Sequence, residues 1–350
     1  MNIIGEHTDY NQGWVLPAAI DRFIGIAFRE RRDAQLVLHS ERYPAPVRIP
    51  RLPERRGGLW YDYIVGVAIE LEARLGPGRG FDLAVVGDLP AGSGLSSSGA
   101  LEVAFALAYL AARGETIPAV ELAGLCQRAE NRYTGARTGI MDQFTALLAR
   151  AGNAILLDCQ TLAAEDIPLP GSGYAWLLAD TRVRHELANS AYNQRRSECE
   201  RAAAELGLVS LRGATESDLD RLVDPVARRR ARHVVTENRR VLEAADALRR
   251  RDPDRLGPLL KASHESLRDD FEVSCPELDR LVELAAESPN AIGARMMGGG
   301  FGGCVLLLVR AAGLDDVEQR LHTGYADFFH RSVEFYRVRS VEGTMPARSG

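Results

Sequence analysis

Apolar and polar positions alternate in short runs over residues 15–49, the period of half-buried strands. The runs are VLPAAI, FIGIAF, AQLVLHS and PVRIP, parted by charged turns. From residue 60 the period changes to that of a helix. WYDYIVGVAIELEARL (60–75) is helical in spacing and stops at Gly76-Pro77-Gly78. FDLAVVGDL (81–89) reads as a strand, ALEVAFALAYLAARG (100–114) and VELAGLCQRAENRYTG (120–135) as helices, GIMDQFTALLA (139–149) as a short helix and NAILLD (153–158) as a strand. Beyond residue 165 the pattern gives a strand at 176–180, then charged helices at 186–206, 225–251, 255–268 and 275–287. Strands at 291–297 and 304–310 flank a glycine turn, and a helix (315–329) and a strand (333–341) follow.

Strands and helices mix in both halves, without internal repeats or a low-complexity linker. This predicts two α+β domains, 1–165 and 166–350, with a cleft between them. The arginine runs Arg228–Arg230 and Arg249–Arg251 lie among acids on helices and read as solvated faces.

The 350 residues carry 43 basic and 48 acidic side chains, a balance that excludes the strongly basic profile of a nucleic-acid binder. All but one of the basic residues are arginine. The exception, Lys261, is far from any glycine-rich loop, which excludes a Walker-type phosphate loop. Five scattered cysteines without a CxxC fit a reduced, cytoplasmic protein. No apolar run approaches the ~18 residues of a membrane span, and no signal peptide is evident.

Four segments carry candidate chemistry. Pro90-Ala91-Gly92-Ser93-Gly94-Leu95-Ser96-Ser97-Ser98-Gly99 joins a strand to a helix. Its glycines allow close backbone approach, the helix start offers free N–H groups to an anion, and a serine hydroxyl can reach Mg²⁺. The alternative is a Ser/Gly cap. Gly298–Gly303 satisfies GxGxxG, but a strand follows where the dinucleotide fingerprint needs a helix. A turn packed on a ligand or another loop fits better. Gly5-Glu6-His7-Thr8-Asp9-Tyr10-Asn11 offers donors and acceptors to a polyhydroxylated ligand, or is an exposed terminal loop. In Gly139-Ile140-Met141-Asp142-Gln143-Phe144, Asp142 is either a helix cap or an acid in a poorly solvated site. Glu130 reads alone as an exposed helix charge. Together these segments suggest a phosphotransferase that needs no Walker lysine.

Several segments resemble one family. PAGSGLSSSGALEVA and RMMGGGFGGC resemble the second and third signatures of the GHMP small-molecule kinases. GEHTDYNQG (5–13), GIMDQF and VRHELANSAYNQRRSECE (183–200) are similar to galactokinases, with the matches running end to end in order. The resemblance implies the two-domain GHMP kinase fold and phosphorylation of galactose at its C1 hydroxyl by ATP, the first step of galactose catabolism. It implies that Glu6, His7, Asp9, Gly139 and Tyr192 bind the sugar and that Asp142 is the catalytic base. Gly92, Ser93, Gly94, Leu95, Ser96, Ser97 and Ser98 would wrap the triphosphate, with Trp60 near the adenine and Ser98 and Glu130 on Mg²⁺. Arg184 matches a family arginine near the active site. Galactose and ATP are the implied partners, with no nucleic acid or membrane, and a monomer is expected. A kinase for N-acetylgalactosamine, galacturonate, arabinose or fucose, or a non-catalytic sensor of galactose and ATP, are the alternatives.

Two departures bear on this. Gly99 stands where the family usually has Ala. The family also reads APGRVNLIGEHTDY, and Met1 stands at the valine, so its arginine partner for the catalytic Asp is absent. This implies a misassigned start codon, with an APGR-like sequence upstream. The 350-residue form is expected to be poorly stable and weakly active, because a nearby cation lowers a carboxylate pKa by ~1–3 units.

Overall fold

The computed structural model describes residues 1–53, 57–90, 92–184 and 188–344. In chain order the strands are β1 (Trp14–Val15), β2 (Ile24–Glu30), β3 (Leu36–Ser40), β4 (Tyr43–Ile49), β5 (Phe81–Gly87), β6 (Asn153–Asp158), β7 (Ala164–Pro168), β8 (Tyr174–Arg184), β9 (Ala291–Met296), β10 (Gly302–Arg310) and β11 (Glu334–Val338). The helices are α1 (Asp62–Leu75), α2 (Ser97–Arg113), α3 (Ala119–Tyr133), α4 (Met141–Leu148), α5 (Ala188–Glu205), α6 (Pro225–Arg249), α7 (Leu256–Asp269), α8 (Pro276–Ala286) and α9 (Leu314–Phe329).

The chain forms two compact units. The larger takes residues 1–21, 92–95 and 150–341; the smaller takes 22–90, 96–149 and 342–344. The division expected at residue 165 follows the sequence, whereas these units follow space. The first 21 residues belong with the second half of the chain because backbone bonds tie them there: the Ile3 N–H donates to Leu16 O (3.1 Å), and the Ile155 N–H to Pro17 O (2.7 Å).

In the larger unit an antiparallel sheet runs β11-β8-β10-β9. β10 (GGCVLLLVR) lies inside this sheet and is buried from Gly302 to Val309, which is why its sequence is a continuous apolar run and not an alternation. Leu177, Leu267, Phe271, Leu278, Leu307 and Tyr325 pack its main core. A second sheet, β1-β6-β7, holds the terminal segment. Of VLPAAI only Val15 joins a strand, and β7 (AEDIP) escaped the sequence pattern because only Ile167 of its five residues is buried.

α6 starts where Asp224 accepts the Val226 N–H (2.9 Å) with Pro225 in the first turn, a favoured helix opening. It corrects one expectation. Arg230 is not part of a solvated face; it is 2% exposed, and donates to Glu198 (2.7 Å) and Glu272 (2.5 Å). Helical spacing puts it on the inward face with Ala227, Ala231 and Val234.

In the smaller unit a mixed sheet runs β2-β5-β3-β4, with β3 parallel to β5. Phe81, Leu83, Ile64, Phe105 and Tyr109 are buried in a core shared by this sheet and α1–α3. α2 starts at Ser97, three residues earlier than the apolar pattern suggested. Ser96 is its N-cap, in the left-handed region (φ 58°), and its carbonyl accepts the Ala100 N–H (3.1 Å). The last two serines of the loop are therefore the first turn of the helix.

Candidate active site

The polar terminal loop is not exposed. Glu6, His7, Thr8 and Asn11 are at most 4% exposed, and Asp9–Asn11 form a 3₁₀ turn. One oxygen of Glu6 accepts the Gly298 N–H (2.9 Å) and a bond from Arg295 (3.3 Å), whose guanidinium also caps the Asn2 and Ile3 carbonyls. His7 sits at φ 62°, a strained conformation for a side-chain-bearing residue. Its Nε2 lies 3.2 Å from the Gly299 carbonyl, which can only accept, so Nε2 carries the proton. Nδ1 then accepts from the Tyr10 hydroxyl (2.9 Å). Tyr192 (5.2 Å) and Phe271 (4.7 Å) pack their rings on the imidazole. Burial, reinforced by His233, lowers the His7 pKa to about 3, so the ring is neutral. Glu6, His7 and Tyr192 are thus brought together in the larger unit, with Asp9 in the same turn.

Gly92–Leu95 also belong to this unit. Ser93 is fully buried, and the Arg184 side chain, paired to Asp180 (2.7 Å), runs alongside Gly92. A Cβ on Gly298 would fall 2.7 Å from the Gly94 Cα, so the glycine turn packs against this loop and tolerates no side chain there. Ala91, and residues 185–187 of the segment resembling galactokinases, lie outside the described residues.

The smaller unit holds the other candidates. Asp142 is the second residue of α4, whose N-cap is Ile140, so Asp142 is not the cap. Burial raises its pKa, and a hydrogen bond with the Ser96 side chain opposes the rise. Gly139 is buried in the turn just before the helix. Glu130 is not an exposed helix charge: it is 4% exposed and accepts from Thr138 (2.6 Å) and from the Gln143 amide (2.9 Å). Burial raises its pKa, with the Asp142 charge adding to the rise and bonds from Thr138 and Ser98 opposing it. The same Gln143 amide donates to Glu102 (2.9 Å), which is fully buried; burial and the Glu130 charge push its pKa well up. Among the described residues, Glu102 Oε1 and Gln143 Oε1 find no hydrogen-bond partner. Ser98 and Glu130 thus form an oxygen donor pair in an acidic, buried setting, which suits a hard divalent cation. Among the described residues no group of three His, Cys, Asp or Glu is placed to hold a metal.

Trp60 stacks face to face on Tyr43 (5.0 Å, 5°), after a turn in which Asp62 accepts the N–H groups of Gly57, Gly58 and Leu59.

Sequence reasoning missed Tyr10 as the partner of His7, and it missed Phe271, Arg295, Glu102 and Tyr43. The signal for Glu102 was a lone carboxylate in the apolar helix ALEVAFALAYL. Tyr43 and Phe271 gave none, because their partners are distant in sequence.

No helix among the described residues is long and apolar enough to cross a membrane, and all five cysteines are free. The GHMP kinases N terminal domain matches residues 62–150, the GHMP kinases C terminal domain 244–327, and the galactokinase galactose-binding signature 1–30. A galactokinase of Thermotoga neapolitana is 42% identical over 98% of this chain and 97% of its own length. One of Chloroflexus aggregans is 44% identical over 93% of this chain and 86% of its own. The structure of Lactococcus lactis galactokinase complexed with galactose has a TM-score of 0.95 at 34% identity, covering 99% of this chain and 92% of that one. The Methanococcus jannaschii mevalonate kinase (TM-score 0.68, 16% identity, covering 97% and 96%) shares the fold alone. With both GHMP kinase domains, the galactose-binding signature and full-length relatives at this identity, the chain belongs to the galactokinase family of the GHMP kinases.

Proposed function

We propose that this protein transfers the γ-phosphoryl group of ATP to the C1 hydroxyl of α-D-galactose, giving galactose 1-phosphate and ADP. The observation that carries this reading is the galactose-binding signature over residues 1–30, in a chain 42% identical to galactokinases along 98% of its length.

In this reading Asp142 accepts the C1 proton as the sugar oxygen attacks the γ-phosphorus and the bond to the β–γ bridging oxygen breaks, releasing ADP. A hydrogen bond with the Ser96 side chain holds the carboxyl in place and opposes the rise in its pKa that burial causes. Glu6, His7, Asp9, Gly139 and Tyr192 hold the sugar, His7 as an uncharged group. Residues 92–98 hold the triphosphate, where the N–H groups and dipole at the start of α2 favour anions. Trp60, stiffened by Tyr43, lies against the adenine. Ser98 and Glu130 would hold a Mg²⁺ ion, which when bound neutralises charge on the transferring phosphates. The five free cysteines support a reducing, cytoplasmic setting, and a monomer is the simplest assembly.

A coupled ADP-release assay over galactose, N-acetylgalactosamine, galacturonate, arabinose and fucose tests this. Galactose should have the highest kcat/KM. Another sugar leading the panel would reassign the specificity, and sugar binding without ADP release would make the protein a sensor. Asp142→Asn should lower kcat by about a thousandfold or more, within the range of lost proton-transfer catalysis, while galactose binding stays measurable by calorimetry.

A further inference from the structure

The terminal loop is held from behind by two residues one helical turn apart on α6. Glu237, fully buried, accepts the Gly5 N–H (3.0 Å) and the Ser263 hydroxyl (2.6 Å) on Oε1, and Arg240 Nε–H (2.7 Å) on Oε2. His233, also fully buried, lies with Nε2 3.1 Å from the Glu6 carbonyl; a carbonyl only accepts, so Nε2–H donates, and Nδ1 takes the Ser266 hydroxyl (2.9 Å). Phe271 packs its ring, tilted, between His233 (4.6 Å) and His7 (4.7 Å). Two α6 side chains therefore fix the peptide groups on either side of the Gly5–Glu6 step. That step precedes the strained His7, and such strain persists only where the surroundings over-determine it.

We infer that Glu237 is a positioning residue for galactose: by holding the Gly5 amide it sets where Glu6 and His7 meet the sugar, without touching the sugar itself. The inference rests on the proposed reaction. A carboxylate is suited to this task because one oxygen serves the loop while the other is tied to Arg240, fixing the side chain at both ends. Burial alone would raise its pKa; Arg240, His233 and Arg295 outweigh that and hold it down to about 2, so it accepts hydrogen bonds at any working pH.

The test compares three variants of the full chain. Glu237→Ala removes the acceptor for Gly5, Glu237→Gln keeps an amide oxygen there, and Ser263→Ala removes only the competing hydroxyl. Glu237→Ala should raise KM for galactose about tenfold, the scale of one lost charge-assisted hydrogen bond, with kcat and KM for ATP within about twofold of wild type. Glu237→Gln should fall between, and Ser263→Ala should stay near wild type. Hydrogen exchange of the Gly5 amide should accelerate in the same order, with the amides of 97–100 unchanged. A role limited to folding would lower kcat with the folded fraction and leave KM unmoved, which would overturn the inference. Equal rises in KM for Ser263→Ala and Glu237→Gln, or unchanged Gly5 exchange in Glu237→Gln, would also overturn it. If Glu237→Ala fails to fold, the other two variants still decide. Absence of galactose phosphorylation by the wild type would refute the reaction and leave the exchange result to judge the loop.

Discussion

Two buried polar clusters, one in each compact unit, handle their charges by opposite means. In the larger unit the carboxylates meet guanidinium groups: Glu6 with Arg295, Glu237 with Arg240, Glu198 with Arg230. Glu237 and Glu198 are held below the ordinary range, burial alone opposing this, and His7 and His233 fall to about 3 and 4, chiefly through burial. In the smaller unit Glu102, Glu130 and Asp142 meet amide and hydroxyl groups, and burial raises all three. The first cluster is neutralised from within and suits an uncharged, polyhydroxylated ligand. The second gains from added positive charge, which suits a cation carrying an anionic nucleotide.

The sharpest way to break this comparison is to remove a cation from the first cluster. Arg295→Ala leaves Glu6 buried without its partner and should destabilise the chain by about 3–5 kcal/mol, read by urea unfolding. A loss below ~1 kcal/mol would mean that Glu6 is not held by charge.

The two clusters should also answer pH with opposite sign. The histidines have folded pKa values below their ordinary 6.5. Their contribution is complete above that value and is lost as pH falls towards about 4 and 3. The raised carboxyls contribute fully below the ordinary carboxylate pKa of about 4, and that contribution is lost as pH rises through their raised values. Melting curves from about pH 4 to about pH 9 separate the two. His233→Gln should flatten the acid-side fall. Glu102→Gln should gain on wild type as pH rises, because an amide cannot ionise there. A Glu102→Gln difference independent of pH would contradict the assignment.

The smallest effect concerns Gly99. A Cβ there would sit 3.0 Å from the Asp142 Cβ. Gly99→Ala should lower kcat a few-fold by pressing on Asp142, while helix propensity adds up to ~1 kcal/mol of stability. Unchanged kcat would show that α4 yields.

Local pattern was enough for most elements, because each long apolar period names its own helix or strand. The motifs singled out Glu6, His7, Ser98 and Asp142; the structure has the first two in a buried loop and the last two in the first turns of α2 and α4. Burial was not legible where a charge finds a partner far along the chain. Arg230 and Glu130 read as exposed because neither Glu198 nor Gln143 could be paired with them from sequence. The α6 contacts with the terminal loop span more than two hundred residues, and nothing in the helical period of Arg230, His233, Glu237 and Arg240 distinguishes a buried polar stripe from a solvated one.

The most direct test of the central claim is the identity of the product. Phosphorus NMR of the wild-type chain incubated with ATP, Mg²⁺ and galactose should show ADP and a sugar phosphate whose signal is split by the anomeric proton, whatever the rate. A phosphate on another hydroxyl, or ADP formed with no sugar phosphate, would contradict it.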